Sequence, residues 1–132
     1  MKIFLDSDVI ISSLLSSSGA AHLLIKTASP DKYISNYSVK ELALVIKRLG
    51  VKPSGLKQLL KQLNVVKIKK PFLANYVVDS HDSHVVSGAV KAKAQFLLTY
   101  NIKHFKAEKI KRNLGILVYR PAQFLQYLRS LN

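Results

Sequence analysis

Two of the seven carboxylates in this chain stand two residues apart at the end of its first apolar run. MKIFLDSDVII places Asp6 and Asp8 directly behind Ile3 to Leu5, and the remaining acids are Asp31, Glu41, Asp79, Asp82 and Glu108. Carboxylates brought together repel one another unless a cation neutralises them. Hard oxygen ligands of this kind suit Mg²⁺ or Mn²⁺, which keep bound waters and take phosphate oxygens as further ligands. An ion so held activates water and stabilises the departing oxygen of a phosphodiester. Asp6, Glu41, Asp82 and the amide of Asn101 are the four positions that could serve such an ion. They are far apart in sequence, so only the fold can bring them together.

The elements that must do so alternate in type. KIFL reads as a short buried strand, and DVIISSLL as the start of a helix with Ser7 as its N-cap. AAHLLIKTA is helical again, KYISN is a second strand, and Ser38 opens a helix over about Val39 to Leu49 that Gly50 stops. KPSGLKQLLKQL gives another helix, VVKI a third strand and PFLANYVVDS a connector. Asp82 to Ala94 is helical, with Val85, Val86, Ala89 and Val90 as its buried stripe. QFLLTY is a fourth strand, NIKHFKAEKIKRN a basic loop or short helix, GILVYR a last strand, and Pro121 starts a final helix. Strands apolar on both faces and separated by helices predict a three-layer α/β/α fold around a central, mainly parallel sheet, with residues 1–132 as one domain.

In open parallel sheets, sites form beyond the carboxyl ends of the strands. Asp6 ends the first strand, Thr99 and Asn101 follow the fourth, Glu41 lies just after KYISN, and Asp82 opens the helix that leads to QFLLT. Each acid also has a structural reading. Ser38-x-x-Glu41 is a capping box, and Asp8, Asp79 and Asp82 suit helix N-termini. Asp6 is the hardest to dismiss in this way, because it ends a buried strand without an evident basic neighbour. Asp31 and Glu108 read as solvated. His81 and His84 form an H-x-x-H pair without the carboxylate motif of a zinc protease, and His22 reads as structural.

Charge points to the partner. Twenty-one basic residues against seven acidic ones leave a net +14, which favours polyanions, nucleic acid first and anionic membrane second. The basic surface would hold the backbone, while an acidic pocket loaded with a cation would invert the local charge where it is cut. The chain has no cysteine, so disulfides and thiolate metal sites are excluded. No apolar run approaches the roughly 20 residues needed to span a bilayer, and Asp6 and Asp8 interrupt the only signal-like start. The expectation is a cytoplasmic protein without a membrane anchor.

Three segments together, IFLDSDVIISSLL, ISNYSVKELALVIKR and VVDSHDSHVVSGAVKAKAQFLLTYNIKHF, resemble the PIN-domain family in order and spacing, and within it the toxin-like ribonucleases of the VapC type. The last segment is the most specific. The resemblance implies an Mg²⁺- or Mn²⁺-dependent endoribonuclease whose products carry a 5′-phosphate and a 3′-hydroxyl. By position it assigns Asp6, Glu41 and Asp82 to catalysis and, with Asn101, to the metal. Asn101 stands where the family often has Asp, which favours one tightly held ion over two. Asp8 stands where the family often has Asn. Thr99, Asp8 and Asp79 would support the ligands, and Lys103, His104 and Lys106 would contact RNA. The resemblance also implies a small antitoxin partner and a homodimer, with Ala20 to Ile25 and the helices near Leu42 and Leu59 as possible surfaces.

Three other readings compete. A catalytically degenerate PIN module would bind RNA or a partner protein without cutting. The opening D-x-D also resembles the haloacid-dehalogenase phosphatases, but the DSHD segment precedes LLT, the reverse of the order that family needs. A receiver domain would need an acid at the end of a middle strand, which VVKIKKP lacks.

Overall fold

The structure, a computed structural model, describes residues 1–131. Five strands form its centre: β1 (Lys2–Leu5), β2 (Asp31–Ser35), β3 (Asn64–Val66), β4 (Phe96–Leu98) and β5 (Leu117–Tyr119). All pair in parallel, in the order β3-β2-β1-β4-β5. The sheet is thus wholly parallel where a mainly parallel one was expected. The helices are α1 (Ser7–Leu15), α2 (Ala20–Lys26), α3 (Asn36–Arg48), α4 (Pro53–Leu60), α5 (Ser83–Lys91), α6 (Ala107–Leu114) and α7 (Pro121–Ser130).

Side chains alternate across the strands, and the two faces bury different helices. Ile3, Leu5, Ile34, Phe96 and Leu98 pack with Val9, Ile10, Leu24, Leu42, Ile46 and Phe124 of α1, α2, α3 and α7. Phe4 and Leu97 point the other way, onto Val85, Val86 and Ala89 of α5 and Ile110 of α6. The three-layer expectation is met. Gly88 lets α5 come close to the sheet, since a Cβ there would lie 2.3 Å from Cζ of Phe4.

Two expected caps fall elsewhere. α1 is capped by Asp6, whose carboxylate accepts from the Ser7 amide, and not by Ser7. α3 begins at Asn36 and is capped by Ser35, whose hydroxyl accepts from the Ser38 amide at 3.0 Å. The reason is the same in both places. The chain passes from strand to helix without a loop, so the residue at the strand end is also the cap. Glu41 therefore sits in the second turn of α3 and takes no part in a capping box. The third strand spans Asn64–Val66, and α5 starts at Ser83 after a short 3-10 turn, Ser80–Asp82. Gly50 ends the α3 segment with φ +70°, which glycine adopts without strain.

Ala21, Leu24, Ile25, Leu42 and Leu59 all lie in the core, so these positions offer no free partner surface. Leu23 and Leu44 are exposed large apolar residues of α2 and α3. No single helix among the described residues is long and apolar enough to cross a membrane.

Candidate active site

The parallel sheet turns all five strand ends to one edge, and β1 and β4 are neighbours at its middle. The Asp6 amide donates to the Leu98 carbonyl at 3.0 Å, which locks the end of β1 to the end of β4. Thr99, fully buried, then donates from Oγ1 to Asp6 Oδ2 at 2.9 Å and lies 3.3 Å from Asp8 Oδ2. Asp8 Oδ2 also accepts from the Tyr100 amide and from Asn101 Nδ2, both at 3.0 Å. The Asn101 amide in turn donates to Thr99 Oγ1 at 3.0 Å. Asp6, Asp8, Thr99 and Asn101 are therefore one hydrogen-bonded unit built on two adjacent strand ends.

Its electrostatics are those of carboxylates lacking a counter-charge. Burial, and then the charge of Asp8, raise the Asp6 carboxyl from 3.8 to about 6, against the bonds from Thr99 and Ser7. Asp82 adds a smaller push in the same direction. Burial also raises Asp8, although the Tyr100 and Thr99 donors oppose it. Asp8 Oδ1 is buried without a hydrogen bond. Among the described residues neither Asp6 nor Asp8 has a basic side chain in ion-pair contact.

Asp82, half-buried at the N-terminus of α5, lies 3.9 Å from His104 Nδ1 through Oδ2. Burial raises its carboxyl, and His104 offsets part of that. Asp79 is exposed. Its carboxylate accepts from the His81 amide at 3.0 Å and caps the 3-10 turn that carries Asp82.

Glu41 belongs to a second network. Its Oε1 lies 3.2 Å from His81 Nε2 and 3.3 Å from His84 Nε2. His84 is buried, shares a 2.9 Å hydrogen bond between Nδ1 and Ser35 Oγ, and stacks on Tyr37 with centroids 5.5 Å apart. The bond from His84, with His81 adding its charge, holds the Glu41 carboxyl below its usual range. Sequence reasoning weighed this histidine pair only as zinc-type ligands and missed its tie to Glu41. No local signal could have shown it, because α3 and α5 meet only in the fold.

The expected RNA-contact residues Lys103, His104 and Lys106 are exposed beyond β4. Lys103 and His104 line a cavity of about 160 Å³ with Tyr100, Asn101, Ile102 and Arg120.

Among the described residues no group of three or more acidic or histidine side chains is disposed to hold a metal ion. The donor set still fits a hard ion of the Mg²⁺ class. Such ions keep most of their waters and are bound through one or two carboxylates, and the Asp6–Asp8 unit offers two without a cation. Asp82 is the next carboxylate along. Glu41 is engaged by His81 and His84. Asn101 is turned to Asp8 and acts on that carboxylate.

A family profile described as the PIN domain matches residues 2–103. No curated protein matches the chain. Among solved structures, the chain is similar to VapBC2 from Rickettsia felis bound to a DNA fragment from its promoter, with 19% identity and a TM-score of 0.61 over 89% of this chain and 97% of that one. It is similar to a toxin–antitoxin complex from Klebsiella pneumoniae, with 18% identity and a TM-score of 0.66 over 90% and 97%. It is likewise similar to FitAcB from Neisseria gonorrhoeae, with 16% identity and a TM-score of 0.61 over 91% and 98%.

Proposed function

The chain belongs to the PIN-domain family, and from that premise we propose that it is an Mg²⁺- or Mn²⁺-dependent endoribonuclease, the toxin of a toxin–antitoxin pair. The observation that carries the reading is the Asp6–Asp8 unit: two part-buried acids at the carboxyl edge, hydrogen-bonded through Thr99 and lacking a cationic partner, in a chain of net +14.

A divalent ion bound there supplies the positive charge that a phosphodiester oxygen needs as it departs, and acidifies water. The chain's own residues prepare that setting. Asp6, with Asp82 as the next carboxylate, would hold the ion, and the Thr99 hydroxyl and the Ser7 amide orient the Asp6 carboxylate. Asp8 is kept facing the β4 end by Tyr100 and Asn101, and its charge strengthens the pull on a cation. Glu41 acts through water from its seat between His81 and His84. Asp79 keeps the turn under Asp82 in place. Lys103, His104 and Lys106 contact flanking phosphates.

The toxin assignment draws on the solved toxin–antitoxin complexes that share this fold. We read the protein as a cytoplasmic homodimer, held inactive by a small antitoxin. One feature favours a second reading, a module that binds RNA without cutting: Glu41 is already bonded to two histidines.

Purified protein and end-labelled RNA separate the two. The nuclease cuts with Mg²⁺, stops with EDTA, leaves 5′-phosphate ends and loses at least about a hundredfold in rate in Asp6→Asn. Binding without any cleavage, at all metal concentrations, refutes the nuclease.

A further inference from the structure

Tyr37 belongs to two neighbourhoods. Its ring stacks on His84, the partner of Glu41. It also lines a cavity of about 430 Å³ with Asn36, Lys40, Lys67, Ile68 and Lys69. The walls are fixed by hydrogen bonds between the start of α3 and the stretch after β3. Asn36 Nδ2 donates to the Ile68 carbonyl at 3.2 Å while its Oδ1 accepts from the Ile68 amide at 2.9 Å. Tyr37 Oη donates to the Lys69 carbonyl at 3.1 Å. Both polar groups of the Asn36 amide are thereby used. The ligand-facing chemistry that remains is three lysines and one aromatic ring, with no acid among the lining residues and no ion pair to any of the lysines among the described residues.

Strand order gives the cavity its meaning. Read from β3 to β5, the carboxyl edge presents Lys67 and Lys69, then Tyr37 and Lys40 with Glu41 held by its histidines, then Asp6 and Asp8, then Asn101 with Lys103 and His104, then Arg120. The acids sit in the middle, and each flank is basic and holds its own cavity. The whole edge is about 19 Å across, from four interstrand steps of about 4.8 Å. A chain of regularly spaced negative charges laid along it meets cations on both sides and the carboxylates at its centre.

We propose that the Tyr37–Lys40–Lys67–Lys69 cavity is a nucleotide subsite for single-stranded RNA, on the β3 side of the scissile bond. The lysines take phosphates and Tyr37 offers a surface for a base. A lone aromatic platform beside backbone cations recognises an unpaired strand, whose bases are free to stack. The substrate class rests on the ribonuclease reading above, whereas the cavity and its charge do not.

The test is fluorescence anisotropy with a short labelled single-stranded RNA, in the Asp6→Asn background with EDTA. A triple variant, Lys40→Ala, Lys67→Ala and Lys69→Ala, is set against a control of equal charge change, Lys61→Ala, Lys111→Ala and Arg112→Ala. The control residues lie at the ends of α4 and α6 that lead into β3 and β5, at the opposite edge of the sheet. The cavity variant is expected to bind about tenfold more weakly or worse, and its log–log salt slope to flatten by about two, as for three lost phosphate contacts on a single strand. The control is expected to change little. Equal weakening by the two triples, or no weakening by the first, overturns the subsite. If the triple variant melts early, Lys40→Glu, at an exposed helical position, carries the same comparison.

Cleavage by the unsubstituted chain is scored separately. RNA that binds through the cavity but is never cut supports the subsite and removes the nuclease. RNA that is cut, with binding indifferent to the cavity lysines, overturns the subsite and leaves the nuclease standing.

Discussion

Asn101 Nδ2 donates to Asp8 Oδ2 at 3.0 Å, joining the turn after β4 to the first turn of α1. The same oxygen accepts from the Tyr100 amide and lies within reach of the Thr99 hydroxyl. Acid and amide are thus paired so that only one charge is placed at this point of the edge. By the resemblance, relatives often have the two types the other way round.

This pairing predicts coupled substitutions. Asn101→Asp sets a carboxylate against Asp8 and costs about 1 kcal/mol at neutral pH, a modest figure because Asn101 is exposed. Adding Asp8→Asn restores most of that loss, since the amide and the acid have then exchanged places. Urea denaturation of the two single variants and the double variant reads the coupling directly. Strict additivity would show that the pair does not interact.

Asp6 predicts a pH dependence. Its carboxyl is raised from 3.8 to about 6, chiefly by burial and then by Asp8. Between these values the folded, metal-free protein holds a proton that the unfolded chain has released, so stability falls as pH rises from about 4 to about 6 and then levels. Asp6→Asn abolishes that component. Above pH 6 without metal, the variant is expected to be the more stable protein by on the order of 2–3 kcal/mol. The raised Asp8 and Asp82 carboxyls leave a residual slope of the same sign. Glu41, held low by His84, adds stability that is lost only as pH falls below the usual carboxylate range. Melting temperatures across pH in EDTA provide the check.

His84 predicts a split between two replacements. His84→Leu removes both the bond to Glu41 and the bond to Ser35 and leaves the buried Ser35 hydroxyl without that partner, at a cost of about 1–3 kcal/mol. His84→Gln keeps an amide able to donate to Glu41 and is expected to recover part of it. Unfolding free energies from chemical denaturation decide; equal losses in both variants would mean that only the ring's packing counts.

Gly88 predicts a packing failure. An added Cβ would stand 2.3 Å from Phe4 Cζ and 2.7 Å from its Cε2, and Phe4 is fully buried between β1 and α5. Gly88→Ala is expected to cost about 1–3 kcal/mol, despite alanine's better helix propensity. A paired Phe4→Leu should relieve part of the cost, which calorimetric melting will register.

Much of this was legible in the sequence because strand and helix patterns are local. KIFL, KYISN, VVKI, QFLLTY and GILVYR read as strands and each overlaps one of the five, with ends off by no more than two residues, and the alternation with helices predicts the layers. Asp6 could be singled out because it ends a buried strand without an evident basic neighbour, and there it also caps α1. The caps were misplaced because the chain enters α1 and α3 without a loop, so Asp6 and Ser35 serve strand end and helix start at once. The ties that decide the site were not legible. Glu41 meets His84, and Asn101 meets Asp8, through contacts made only by tertiary packing. The basic cavity by β3 was hidden for the same reason: its lysines come from α3 and from the stretch after β3, and Asn36 joins them through Ile68.

Titration of the metal-free protein with Mn²⁺ by calorimetry at neutral pH, with Asp6→Asn in parallel, tests the central claim most directly. Saturable binding of one ion, weakened at least about tenfold in the variant, is the expected result. Absence of binding at millimolar Mn²⁺, or affinity untouched by Asp6→Asn, would contradict it.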